Sequence, residues 1–217
     1  MPETLTVCEI FKSIEGETSY AGLPCAFVRT SGCNLECAYC DTSYARTEPG
    51  REMSVGDICE EVLAFGTRLA CITGGEPLLQ PEPVTALAER LLGAGLAVLV
   101  ETNGTQDISR LPRETVCVMD VKCPGSGESG RLFAPNVAQL GPRDEAKFVI
   151  TDRRDFDWAL SFVREHDLWG GPEILFAPAH GFLEPVRLAD WVLESRANVR
   201  LNLQLHRLLW PGRERGV

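Results

Sequence analysis

The sequence has no long hydrophobic run. Its longest unbroken one, Leu96–Val100, is far short of the roughly 20 residues a membrane-spanning helix needs. The first residues, MPETLTVCEIF, lack a basic stretch leading into an apolar one, so no signal peptide is expected and the cytoplasm is the expected compartment. Positive charge is also short: 21 Lys and Arg stand against 31 Asp and Glu, a formal net charge of −10. That argues against broad binding to a nucleic-acid backbone or an anionic membrane. Histidine is scarce, and His166, His180 and His206 lie far from any cysteine cluster, with no finger-like spacing. Repeats, low-complexity tracts and long Ser/Pro linkers are lacking too. With 44% apolar and 24% charged residues, the composition excludes a wholly disordered or collagen-like chain. The 217 residues are read as one domain, 1–217.

Cysteine is the residue in excess. Nine occur, an odd number in a chain of this size with no sign of secretion, which speaks against a disulfide framework. In a reducing compartment, clustered cysteines point to metal or redox chemistry and scattered ones to core packing. Six are scattered (Cys8, Cys25, Cys59, Cys71, Cys117 and Cys123) and lie mostly in apolar runs, so they are read as core. The other three form Cys33-Asn-Leu-Glu-Cys37-Ala-Tyr-Cys40. Composition alone gives that spacing with a chance of roughly 0.01.

Short apolar runs rich in β-branched residues predict strands at Leu5–Phe11, Cys25–Thr30, Leu69–Thr73, Leu96–Glu101, Thr115–Val121, Ala146–Ile150, Glu173–Ala177 and Val199–Gln204. Several are apolar almost throughout, as in sheets covered by helices. A helix is expected from Ser54, where Ser54 and Asp57 give a capping-box-like start and Ile58, Val62 and Phe65 recur. A second carries Val84, Leu87, Ala88, Leu91 and Leu92 on one stripe and is stopped by Gly93 and Gly95. Weaker helices are expected at Asp155–His166 and Val186–Ser195. Alternating strands and helices predict a mainly parallel α/β sheet, either open or a complete or partial barrel, with sites at the C-terminal strand ends. Cys123–Asp144, rich in Gly and Pro, is expected to be an irregular surface loop.

The three clustered cysteines follow the strand ending near Thr30. Spacings of four and seven would also place them on one helical face, but Gly32 and Asn34 favour a loop. A structural zinc site wants four closed ligands. Three thiolates suit a [4Fe–4S] cluster better, leaving one iron open to a small chelating molecule.

With Tyr39 as its aromatic, the motif resembles the Cys-x₃-Cys-x-aromatic-Cys signature of radical S-adenosylmethionine enzymes. Thr73-Gly74-Gly75-Glu76-Pro77 resembles that family's second element. Further segments resemble one subfamily, 7-carboxy-7-deazaguanine synthase, across nearly the whole chain. They are Ile10-Phe11-Lys12-Ser13-Ile14-Glu15-Gly16-Glu17, Phe27-Val28-Arg29, Cys40-Asp41-Thr42, Glu101-Thr102-Asn103-Gly104, Asp120-Val121-Lys122 and Gln204-Leu205-His206-Arg207. The resemblance departs at Thr18, where that subfamily often has Gly.

The resemblance implies an incomplete parallel β/α barrel, commonly a homodimer. It implies conversion of 6-carboxy-5,6,7,8-tetrahydropterin into 7-carboxy-7-deazaguanine with loss of ammonia, on the route to deazapurines such as queuosine. A 5′-deoxyadenosyl radical would abstract hydrogen from substrate C6. The implied cofactors are a [4Fe–4S] cluster on Cys33, Cys37 and Cys40, S-adenosylmethionine, and Mg²⁺ on Thr42. Ile14, Glu15, Gly16, Arg29, Thr73 and Pro211 would touch substrate, although six residues follow Pro211. Tyr39, Cys40, Asp41, Gly75, Asp120, Val121, Lys122, Ala177, Pro178, Ala179 and His180 would touch S-adenosylmethionine. Glu101 and His206 would face the substrate, Glu101 as a candidate for proton transfer. Arg29 would grip the substrate carboxylate, which suits its planar fork. An electron donor such as a flavodoxin or ferredoxin is implied as a partner. Two rival readings are an activating enzyme that makes a glycyl radical on a partner protein, and a non-catalytic cluster or zinc scaffold.

Overall fold

Side chains alternate across a strand, and in this protein both faces of most strands are covered. The structure, a computed structural model, describes residues 4–217. Its first strand, β1 (Thr4–Ile14), pairs antiparallel with β2 (Pro24–Thr30) and with β3 (Arg51–Ser54). From β2 onward the sheet is parallel, through β4 (Leu69–Gly74), β5 (Ala97–Thr102), β6 (Val116–Asp120), β7 (Glu145–Ile150), β8 (Glu173–Pro178) and β9 (Arg200–Leu201). Among the described residues these strands form one sheet in the order β3-β1-β2-β4-β5-β6-β7-β8-β9. The two ends do not pair, so the barrel is incomplete, as expected.

The outer face carries α2 (Val55–Ala64), α3 (Pro81–Gly93), α4 (Arg153–Glu165) and α5 (Pro185–Ser195). Each contributes buried residues to one core with the outward side chains of the strands, among them Val28, Ile72, Val100, Met119, Phe148 and Phe176. Ser54 caps α2, its hydroxyl accepting the Asp57 N–H at 3.1 Å, and α3 ends at Gly93 before Gly95 turns with φ +88°. No described helix is long and apolar enough to cross a membrane.

The inner face holds a second, smaller core of Phe11, Cys25, Phe27, Leu69, Cys71, Leu99, Val116 and Val118. Going two residues along each strand toward its C-terminal end exchanges this apolar plug for polar side chains. Cys71 gives way to Thr73, Leu99 to Glu101, Val118 to Asp120 and Phe27 to Arg29. The plug closes the bottom of the barrel and leaves a polar mouth at the top. Of the scattered cysteines, Cys25, Cys71, Cys117 and Cys123 are buried, while Cys8 and Cys59 are half-buried.

Several expectations are corrected. The last strand spans only Arg200–Leu201 rather than Val199–Gln204. Beyond Leu201 the Asn202 N–H still donates to Phe176 O of β8 at 2.8 Å, but its side-chain amide donates to Thr18 O at 3.2 Å, and Gln204 is the residue that precedes the unforeseen helix α6 (Leu205–Leu209). Cys123–Asp144 is not simply a surface loop. Asn136 is fully buried, its amide donating to Gly104 O and Gln106 O while its carbonyl accepts from Ile108 N. Val137 and Leu140 join the main core. The short strand β3 and the short helix α1 (Ser43–Thr47) had no clear pattern in sequence.

Candidate active site

Three loops meet at the barrel mouth. The first, between β2 and α1, carries Cys33, Cys37 and Cys40, all free thiols lining one cavity. It is fixed near its start and at its middle: Glu76 N–H donates to Gly32 O at 2.8 Å, and Ala38 N–H donates to Ser126 O at 3.0 Å. The second loop is the Gly-rich turn after β4. A Cβ on Gly75 would lie 2.1 Å from Gly32 O, so only glycine lets the two loops touch. Glu76, wholly buried, accepts from Leu78 N (2.9 Å), Thr102 Oγ1 (2.8 Å) and Asn103 N (2.6 Å). It ties β4 to β5 and sets Asn103, whose amide reaches Cys33 Sγ at 3.8 Å and Asn34 Oδ1 at 3.1 Å. The third loop follows β6. Lys122 Nζ lies 2.7 Å from Asp120 Oδ2 and sits over the Tyr39 ring.

The thiols are set in a partly dry, charged pocket. Burial pushes the Cys37 thiol up to about 11 despite Lys122, and burial also raises Cys33. Burial opposes the charge on Lys122, yet Asp120 and Cys37 raise its ammonium above the ordinary lysine range. Asp120 Oδ1 and the Tyr39 hydroxyl are buried without any hydrogen-bond partner.

Deeper in the barrel, Arg29 Nε donates to Glu9 Oε1 at 2.8 Å, and its guanidinium lies over Phe11. Glu101 accepts from Thr73 Oγ1 at 3.1 Å. His206 faces two carboxylates, with Nδ1 3.3 Å from Glu17 Oε1 and Nε2 3.4 Å from Asp41 Oδ2. Lys147, almost fully buried, pairs with Glu17 Oε2 at 2.5 Å. Burial would raise the Glu17 and Asp41 carboxyls, but Lys147 for the former and His206 for the latter hold both below the usual range.

Residues 27–118 match the family model described as the Radical SAM superfamily. The chain is 43% identical to the 7-carboxy-7-deazaguanine synthase of Koribacter versatilis, covering 98% of this chain and 100% of that one. It is also 43% identical to the synthase of Chlorobaculum tepidum, covering 98% and 97%. The chain belongs to the 7-carboxy-7-deazaguanine synthase family. The crystal structure of QueE from Escherichia coli shares the fold, with a TM-score of 0.75 at 23% identity over 93% of this chain and 94% of that one.

Most residues singled out by likeness to the synthase family line the same cavity. They are Ile14, Glu15, Gly16, Arg29, Cys33, Cys37, Tyr39, Cys40, Asp41, Thr42, Thr73, Gly75, Glu101, Asp120, Lys122, Ala179, His180 and His206. Four others do not line it. Val121, Ala177 and Pro178 are buried beneath the mouth, where they space its neighbours. Pro211 is exposed and stays outside. The chain beyond it turns back instead, so that Arg213, Glu214 and Val217 line the cavity. That turn is held by Gly216 N–H donating to Glu9 Oε2 (3.3 Å) and by Arg215 lying over the ring of Tyr44, whose hydroxyl donates to Glu9 Oε1 (2.8 Å) and lies 3.2 Å from Glu214 O.

Sequence reasoning missed Glu17, Lys147, Asn103 and Gln204 as cavity residues of this synthase-family chain. A signal existed for Lys147, a lone cation in the otherwise apolar run Ala146–Ile150. A charge in a strand covered on both faces must find a buried partner.

Proposed function

We infer that this chain is a radical S-adenosylmethionine lyase that contracts the ring of 6-carboxy-5,6,7,8-tetrahydropterin, giving 7-carboxy-7-deazaguanine with loss of ammonia. The step serves the biosynthesis of deazapurines such as queuosine. The observation that carries this reading is the meeting of three cysteine thiols, the Arg29 guanidinium and the Glu101 carboxylate in one cavity of a chain 43% identical to named synthases along its length.

The residues present fit the cofactors. Cys33, Cys37 and Cys40 would hold a [4Fe–4S] cluster, with metal displacing the protons that burial favours on Cys33 and Cys37. Lys122 would offset its negative charge. Tyr39, Cys40, Asp41, Gly75, Asp120, Lys122, Ala179 and His180 would surround S-adenosylmethionine, and the unpartnered Asp120 Oδ1 and Tyr39 hydroxyl offer it hydrogen bonds. When bound, these groups supply one-electron cleavage and hydrogen-atom abstraction. Thr42 stands at the N-terminus of α1, yet its hydroxyl makes no capping bond. It faces the cavity and is free to join substrate oxygens and water around Mg²⁺.

The chain's own groups bind and orient. The backbone of Ile14, Glu15 and Gly16 would read the pterin edge, and Thr73 would touch the substrate. Arg29, with one edge on Glu9, would meet the substrate carboxylate with its remaining N–H groups. Glu101 and His206 would hold or move protons on the reacting ring, His206 being oriented by Glu17 and Asp41. An external donor such as a flavodoxin or ferredoxin would supply electrons. We further propose a cytoplasmic homodimer that binds neither nucleic acid nor membrane, consistent with its net charge of −10 and nine free thiols. One continuous sheet supports reading residues 1–217 as one domain.

The test is anaerobic reconstitution with iron and sulfide, then incubation with reductant, S-adenosylmethionine and Mg²⁺, with and without the carboxypterin. Carboxypterin-dependent 7-carboxy-7-deazaguanine is expected, and its absence from a brown, S-adenosylmethionine-cleaving protein would overturn the substrate. Cys37→Ala should lose the chromophore; iron near four per chain in that variant would defeat the ligand assignment.

A further inference from the structure

Glu15 lies just beyond the end of β1 on the floor of the cavity and is 1% exposed. Its Oε1 accepts the backbone N–H groups of Gly16 and Glu17, each at 2.9 Å. Its Oε2 is buried and has no hydrogen-bond partner. A carboxylate oxygen of Glu15, Cys71 Sγ and a carboxylate oxygen of Glu101 all lie within 4.8 Å of one another. With two carboxyl groups so close and Glu15 cut off from water, desolvation and mutual repulsion both oppose a charge on Glu15. Glu101 opens toward the cavity and has the Thr73 hydroxyl as a donor. Glu15 is shut in, so the proton belongs on its unpartnered oxygen.

We propose that Glu15 is kept as a neutral carboxylic acid beneath the cavity and acts as a positioning residue for Glu101, the carboxyl that lines the cavity beside Thr73. The backbone role proposed for residues 14–16 is separate from this side-chain role.

The charged and titratable groups facing Glu15 come from every element around it: Glu101 on β5, Lys147 on β7, Cys71 on β4, Cys25 on β2 and Glu17 on its own loop. Burial first and Glu101 second push its carboxyl up to about 8, outweighing the Glu17 amide and Lys147. In the unfolded chain the same group titrates near 4.5. The folded state therefore holds one more proton between those values. The stabilisation from neutral Glu15 is complete below about 4.5 and is lost as pH rises to about 8, by up to tenfold in the folding constant per pH unit.

The experiment compares wild type with Glu15→Gln, which matches the shape and cannot ionise. The first readout is denaturant unfolding of the iron-free and reconstituted proteins between pH 5 and 9. The folding constant of Glu15→Gln relative to wild type should rise steadily between about pH 5 and 8 and level off above. A ratio that is flat with pH overturns the proposal, whatever the enzyme does. The second readout rests on the function inferred above: turnover of the carboxypterin against pH. Wild type should lose rate above about pH 8 as Glu15 ionises against Glu101, and Glu15→Gln should lack that limb whatever its rate at pH 7. The same alkaline limb in both proteins also overturns it. Should wild type make no product at all, the substrate reading fails, while the unfolding comparison still decides the state of Glu15.

Discussion

Replacing Gly75 by Ala tests how the cysteine loop is seated. The new Cβ would fall 2.1 Å from Gly32 O, 2.6 Å from Gly32 C and 2.8 Å from Cys33 Cβ. The first two are backbone atoms with no rotamer to change, so relief requires the loops to separate. Separation is resisted by the bonds from Gly75 N–H to Thr30 O (3.2 Å) and from Glu76 N–H to Gly32 O (2.8 Å). Overpacking a close-packed site costs about 1–3 kcal/mol, and each backbone bond lost adds about 0.5–1.5 kcal/mol. The sum is on the order of 2–6 kcal/mol, and for a chain of this size each kcal/mol lowers Tm by about 2–4 °C. The iron-free variant should therefore melt roughly 4–24 °C below wild type. Because Cys33 is among the displaced atoms, iron bound on reconstitution should fall as well. Calorimetry and iron analysis on the same preparation check both. A variant that melts with wild type and binds a full complement of iron would refute the reasoning, since it would show that the two loops are not in contact.

Lys147→Met should destabilise the fold by about 3–5 kcal/mol by stranding the Glu17 carboxylate, and adding Glu17→Gln should recover much of that loss in urea unfolding; equal losses in single and double variants would exclude the pairing. Arg29→Ala should weaken carboxypterin binding by on the order of 2–5 kcal/mol, with little recovery in Arg29→Lys because an ammonium cannot serve Glu9 and a substrate carboxylate with one planar fork; near-normal affinity in Arg29→Ala would place the carboxylate elsewhere. For Thr42, the Ser variant should keep the response of turnover to added Mg²⁺ and the Val variant should lose most of it; a wild-type response in Thr42→Val would remove the hydroxyl from the metal.

Much of the site was legible in one dimension because its chemistry is local. Cys33, Cys37 and Cys40 lie within eight consecutive positions, and one loop suffices to bring them together. The parallel strands were legible for a related reason: helices cover one face and the barrel interior the other, so Val116–Val118 and Phe148–Ile150 are apolar without interruption. The long-range pairs were not legible. Lys147 and Glu17 are joined only when β7 curls around to face the loop after β1, and no spacing along the chain encodes that approach. Glu76 illustrates the same limit: its turn could be read from Gly-Gly-Glu-Pro, but its bonds to Thr102 and Asn103 follow from β4 lying beside β5.

The sequence by itself determined the strand–helix alternation, the cysteine loop, the glycine-tight turn and the family likeness, all set by nearest neighbours or by periodicity. Tertiary structure alone decided three further matters: that Arg29 enters the cavity already paired with Glu9, that the segment after Pro211 folds back over the mouth while Pro211 stays outside, and that Glu15 meets Glu101 away from water. The reason is physical. Ionisation states and pair geometries depend on distance and on the exclusion of water, and both are properties of the closed interior rather than of any stretch of chain.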